Sequence, residues 1–181
     1  MTVPAWMRER RRLALVLGVA AALFVVNNVL LARVNARWLG TAPTGAVTMA
    51  FVAWLVLAVR APGVPPVVFA VYGLLGTPSH LLAGDPAYVL HVALVVAAAC
   101  LFDRLLAIGR YRPITIVAAF PAFVLAVQAA TLALDAALHP RPFESGAAAW
   151  SLARSVAQGW GGILAGVATR RLHGGVRAPA A

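Results

Sequence analysis

The chain contains no lysine and a single cysteine, Cys100. One cysteine excludes an internal disulfide. Acidic residues are scarce: 5 Asp and Glu stand against 15 basic residues, all arginine, for a net charge of +10. Only 11% of residues are charged, against about 25% in a typical soluble domain. That scarcity argues against a solvated globular surface. The short patterns that carry chemistry are missing too. There is no HExxH pair, no GxSxG elbow and no glycine-rich phosphate loop. Ser151 and Ser155 flank Arg154, but the sequence places no histidine base beside them. The chain is therefore read as non-enzymatic, with no cofactor and no bound metal.

What is there is apolar. Hydrophobic residues make up 62% of the chain and the mean hydropathy is +0.88. They come in long blocks rather than alternating or amphipathic stripes, so the expected class is an all-α integral membrane protein. The blocks run roughly over 13–32, 43–59, 64–82, 86–102, 114–137 and 147–168. A helix needs about 20 residues to cross the hydrocarbon core. Six spans in one bundle is the economical reading, with 1–12 as an N-terminal segment, 13–170 as the membrane domain and 171–181 as a tail. The third block carries Gly73, Gly76, Pro78, Gly84 and Pro86 in and just beyond it, and reads as a span able to break near its end. A signal peptide competes for residues 8–36, but the apolar run is long for one, so a retained helix is preferred.

Arginine sets the orientation. With a cytoplasmic N-terminus, the inner segments hold Arg8, Arg10, Arg11, Arg12, Arg60, Arg104, Arg110, Arg112, Arg170, Arg171 and Arg177. The outer segments hold only Arg33, Arg37 and Arg141. This is a positive-inside bias, and it puts both termini in the cytoplasm of a bacterial inner-membrane protein. A net charge of +10 also suits nucleic acid. Here the arginines sit at block ends, where topology needs them, so the bilayer is the expected partner and nucleic acid is not.

Polar residues inside the blocks concentrate towards the outer side. Asn27 and Asn28 lie near the outer end of the first block, and Tyr88 and His91 just inside that of the fourth. Gln128, Thr131 and Asp135 form an i, i+3, i+7 stripe on the fifth. Trp150, Arg154 and Gln158 follow at i, i+4 and i+8 on the sixth, with Arg154 about two turns deep. Intramembrane polar groups usually face a bundle interior or a wet cavity, so a chamber open to the outside is expected. Arg154, Gln158, Trp150, Gln128, Asp135, His91, Asn28 and Tyr88 are its candidate binding residues. Structural readings compete. Arg154 and Asp135 could satisfy each other, the glutamines could bond between helices, and Trp38, Trp150 and Tyr88 could form an interfacial belt. Asp103 and Arg104 read as a solvated pair at the inner edge. His80, Asp85, His91 and His139 suit a transition metal in type, but their spacing matches no ligand motif.

The first block also carries Ala14, Gly18 and Ala22 at intervals of four, a small-residue face that allows close helix approach. In this feature and in overall plan, the chain resembles the substrate-binding S component of energy-coupling factor (ECF) transporters. The resemblance covers nearly the whole chain. It implies that Ala14, Gly18 and Ala22 dock a transmembrane coupling subunit, that separate ATPase subunits supply energy, and that an outward pocket takes a small solute. The central small residue here is glycine rather than alanine, and no signature of a particular vitamin is present. Arg154 with nearby aromatics suggests an anionic, ring-containing, vitamin-like solute. The chain also resembles the morphogenesis protein MreD in size, which implies a scaffold. The stretch VRAPGVPPVVFAVYGLLG is similar to the Pro-Pro segment of the tryptophan-rich TspO family. A metal-uptake subunit is a further alternative.

Overall fold

A computed structural model describes residues 5–31, 42–138 and 145–175. Trp38, Arg33, Arg37, His139, Arg141, Glu144 and Arg177 lie outside the described residues. Every regular element among those described is helical. A single turn, Ala5–Arg8, precedes α1 (Arg10–Val25), which continues as a π-helical segment over Val26–Leu31. Then come α2 (Ala42–Val59), α3 (Val64–Leu82), α4 (Ala87–Ile108), α5 (Pro113–Leu138) and α6 (Ser145–Gly175). Three stretches are long and apolar enough to cross a membrane: Arg10–Asn28, Ala87–Ile108 and Pro113–Leu138. Large apolar side chains are widely exposed, among them Leu74, Leu82, Ile108 and Ile114. On a soluble protein such a surface would be an association site; on a membrane-embedded bundle it faces lipid.

The helices form a ring in the order α1, α2, α6, α5, α4, α3, with α3 returning to α1. α2 is the best-buried member. Met49, Val52, Ala53, Leu55, Val56, Leu57 and Val59 are all buried, so it is covered on most of its circumference, as expected for a helix apolar all round. Its most extensive partner is α6. A Cβ on Gly162 would strike the carbonyl oxygen of Ala46, and one on Gly166 that of Ala50. These two glycines, four apart, let the backbones approach where lipid provides no hydrophobic force to push helices together.

Both ends of the bundle are defined by chemistry. Every described arginine except Arg154 lies at the end carrying the α2–α3 and α4–α5 connections. The backbone there is tightly turned: Arg60, Gly63, Arg110 and Tyr111 all have positive φ. Three of these are not glycine, which costs about 1–3 kcal/mol each. Asp103 helps to hold the arrangement. It is 7% exposed and accepts bonds from the Gly63 N–H at 2.8 Å and the Tyr111 hydroxyl at 3.4 Å. It is thus a buried staple between two connections, not half of a solvated pair. Burial, then the Asp103 carboxylate and the bond to it, raise the Tyr111 pKa above the usual phenol value, so the hydroxyl remains a donor. The other end carries the α3–α4 turn, with His80 and His91 on the helices that flank it.

Two prolines lie within helices. The third block does not break near its end: α3 runs through Pro78 to Leu82. Near Pro78, the Thr77 hydroxyl donates to the Gly73 carbonyl at 2.9 Å, and the Ser79 hydroxyl to the Gly76 carbonyl at 2.8 Å. Neither acceptor is the Leu74 carbonyl, the one that Pro78 cannot donate to. Pro121 lies within α5 and cannot donate to the Val117 carbonyl four residues earlier. The Trp160 indole N–H of α6 donates to that same oxygen at 3.2 Å. Trp160→Phe is therefore expected to cost about 0.6–2 kcal/mol in the native background. It should cost much less beside Pro121→Ala, which restores the backbone donor. Unfolding of the purified protein as a double-mutant cycle measures the coupling, and additive losses would reject it.

Candidate functional site

Three cavities cluster at the histidine end. The first, about 320 Å³, lies among α1–α4. Asn27 and Asn28 reach it from the π-helical part of α1, and Gly45 and Thr48 from the start of α2. α3 contributes Phe69, Tyr72, Gly73 and His80; α4 contributes Tyr88, His91, Val92 and Val95. The second, about 440 Å³, lies between α2, α5 and α6, and its polar wall is Gln128, Ser155 and Gln158. The third, about 360 Å³, borders His80, Asp85, Tyr88, His91, Thr131 and Asp135. Gly45 lines the first two, while His80, Tyr88 and His91 line the first and third. The cavities are therefore neighbours around shared walls.

Local structure explains how these side chains arrive. Residues 27 and 28 are consecutive, and the π-helical turn widens the helix where it presents them. Such π segments are frequent at functional sites. Asn27 is 4% exposed and its Nδ2 donates to Thr48 Oγ1 at 2.8 Å, tying α1 to α2. Its Oδ1 is buried and has no hydrogen-bond partner among the described residues. An unpaired buried acceptor costs about 1–3 kcal/mol. Asn28 is exposed; its Nδ2 lies 3.0 Å from the Phe24 carbonyl and 3.4 Å from the Tyr72 hydroxyl. On the facing wall α3 and α4 pack closely, because a Cβ on Gly73 would meet Val92 and one on Gly76 the Tyr88 hydroxyl. His80 and Tyr88 stack with ring centroids 3.7 Å apart and planes 3° from parallel. His80 Nδ1 also lies 3.2 Å from Asp85 Oδ2, which anchors the imidazole to the α3–α4 turn.

The structure thus brings Asn28, Tyr88 and His91 together in one cavity and Gln128 and Gln158 in the next, with Asp135 in the third. It splits the Gln128–Thr131–Asp135 stripe between two cavities. Gln128 Nε2 donates to Ser155 Oγ at 3.1 Å, an interhelical bond of the kind its structural reading foresaw. Arg154 is half-buried and Trp150 is 72% exposed, and neither lines these cavities. Among the described residues, Arg12 forms an ion pair with Glu9, and His80 is hydrogen-bonded to Asp85. Asp135 and Arg154 are engaged in other polar or electrostatic interactions. Sequence reasoning noted Asn27, His80 and Thr131 but did not select them. It missed Thr48 and Tyr72 altogether, since an isolated Thr or Tyr in an apolar run carries no signal. No group of three or more His, Cys, Asp or Glu side chains converges among the described residues.

No protein-family model, curated protein or solved structure matches the chain. What the arrangement can do must be argued from its chemistry. It offers hydrogen-bonding amides and hydroxyls beside aromatic faces, in cavities within the usual range for small molecules. If the cavities are wet, position decides thiol reactivity along α2. With Cys100→Ala as background, Gly45→Cys should react rapidly with a charged methanethiosulfonate reagent. Leu55→Cys, at a site 0% exposed, should not. Equal labelling of both positions, or none at 45, would reject a water-filled chamber.

Proposed function

We propose that the chain is the substrate-capture subunit of an ECF-type uptake transporter. In this reading it is a six-span bundle in a bacterial plasma membrane, with both termini cytoplasmic and the histidine end facing out. The observation that carries it is the asymmetry of the bundle. Amide- and hydroxyl-lined cavities cluster at one end, while the other is ringed by arginine, and the cavity of about 440 Å³ between α1, α2 and α6 towards that end is walled by apolar groups and Thr169. A solute entering from the histidine end would meet hydrogen-bonding groups and then the apolar floor around Leu23, Leu55 and Phe102. The captured solute is small and ring-bearing, vitamin-like in size. An anionic group on it would have to approach Arg154 from outside the cavity walls.

A second observation supports docking to a membrane partner. Ala14, Gly18 and Ala22 are all exposed, and a Cβ on Gly18 would meet nothing within 4 Å. The small-residue face of α1 is therefore not used for packing within the described bundle, whereas that of α6 is. In the proposed assembly it seats the transmembrane coupling subunit, and ATPase subunits act through that partner.

Mass spectrometry of small molecules released from purified protein tests the capture reading. A stoichiometric solute is expected, and Gly45→Phe should remove it by filling the space shared by two cavities. An empty protein that instead co-purifies with cell-shape components would favour the scaffold reading. Gly18→Leu tests docking separately. The added side chain has room, so folding and solute content should be unchanged while partner assembly falls at least about tenfold. Normal assembly of Gly18→Leu would discard the docking role.

A further inference from the structure

Helices α1 and α6 flank α2 in the ring, and the cavity of about 440 Å³ lies between them. Its floor is Ala50, Phe51 and Trp54 of α2, each only partly buried. Val19 of α1 forms one wall, and Ala165 and Thr169 of α6 the other. The hydroxyl of Thr169 donates back to the Ala165 carbonyl at 2.8 Å. A water held there would need about two to four polar partners, and the walls do not supply them. In a bilayer the medium that fills such a groove is an acyl chain. A partner helix fits it poorly. A helix about 10 Å across takes up about 400 Å³ in each turn, so the groove would seat little more than one turn. Ala14, Gly18 and Ala22 do not line it, so the face proposed for docking is a separate surface.

Towards the arginine end the groove leads to positive charge. Arg12, Leu15 and Val19 are spaced i, i+3 and i+7 and share one face of α1. Arg12 thus stands about 10 Å from Val19 along the helix, in line with the wall of the groove. Arg8, Arg10 and Arg11 beside it are exposed. The acidic residues described at this end offset little of that charge. Glu9 pairs with Arg12 at 2.9 Å, but both side chains are about half exposed, and such a pair is weak. Asp103 is buried against Gly63 and Tyr111. Trp54 lies within two turns of the end of α2, a depth at which indoles meet lipid headgroups.

An apolar groove with cations beyond one end matches a molecule with a hydrocarbon tail and an anionic head. We infer that this groove binds one anionic phospholipid. An acyl chain lies along Ala50, Phe51 and Trp54, and the phosphate is met by Arg12, which exchanges Glu9 for it. The inference requires a membrane-embedded bundle but not solute capture.

Native mass spectrometry of the purified full-length protein tests it, with dioleoyl phosphatidylglycerol and dioleoyl phosphatidylcholine as probes. One phosphatidylglycerol should bind at least about fivefold more tightly than phosphatidylcholine, and glycerol phosphate, which lacks the tails, should not compete. Arg12→Gln should reduce that preference about fivefold. Arg112→Gln, at the same end but on the α4–α5 connection, should leave it unchanged. Ala165→Phe, at an exposed position, fills the groove and should weaken binding of both lipids at least about tenfold. Equal binding of the two lipids, or competition by glycerol phosphate, would overturn the inference without any variant. So would an equal loss of preference in Arg12→Gln and Arg112→Gln, which would reduce the effect to net charge. Ala165→Phe that keeps its lipid but loses assembly with another membrane protein would give the groove to a helix instead.

Discussion

Gly162 and Gly166 lie so close to the carbonyl oxygens of Ala46 and Ala50 that neither could carry a side chain, and the rest of the architecture depends on this contact. It joins α2, the best-buried helix, to α6, the last. Without that closure the ring of helices would have a seam. In a lipid environment, burying leucine against leucine gives little advantage over leaving it in acyl chains. Close backbone approach favours association instead, because it sums many weak dispersion attractions along the two helices. The same contact determines which residues of α2 face the cavities. Gly45 and Thr48 lie about 100° and 160° around α2 from Ala46, on the same side of the point where α6 touches.

The placement of α6 also explains why its one arginine is not at the centre of the site. Helix α6 is turned so that Ser155, Gln158, Gly159, Gly162 and Gly166 face its neighbours. These positions follow the mixed three- and four-residue spacing of a straight helix face. Arg154 precedes that face by one residue, about 100° around the helix, and so stands beside it. Trp150, Arg154 and Gln158, spaced strictly by four, drift from outside the contact face into it. A constant spacing of four looks like a stripe in sequence but does not hold one azimuth.

Helix existence was highly legible, because long apolar runs are unambiguous at this length. Blocks at 43–59 and 64–82 correspond closely to α2 and α3. The fourth block ended early at 102 because Asp103 and Arg104 resemble a membrane edge. The helix runs on to Ile108, and Asp103 is buried by a glycine N–H forty positions away in sequence and a tyrosine hydroxyl. No local pattern could reveal that pairing. The site was legible in depth but not in azimuth. Asn28, Tyr88 and His91 line one cavity, yet the buried member of the asparagine pair is Asn27. A π-helical turn changes which of two adjacent residues points inward, and composition gives no warning of it. In the same way the small-residue face used inside the bundle is on α6, while the more conspicuous one on α1 stays open.

The two polar contacts at the histidine end differ in a way that bears on function. Gln128 Nε2 donates to Ser155 Oγ across α5 and α6, between two side chains of intermediate exposure. Asn27 is only half satisfied, although leucine or valine would fit an apolar helix at no such cost. Native sequences usually keep local choices consistent with the global fold, and departures concentrate where function requires them. The Oδ1 of Asn27, unpaired among the described residues, marks the contact between α1 and α2, rather than the charge on α6, as the place where the bundle departs from plain packing.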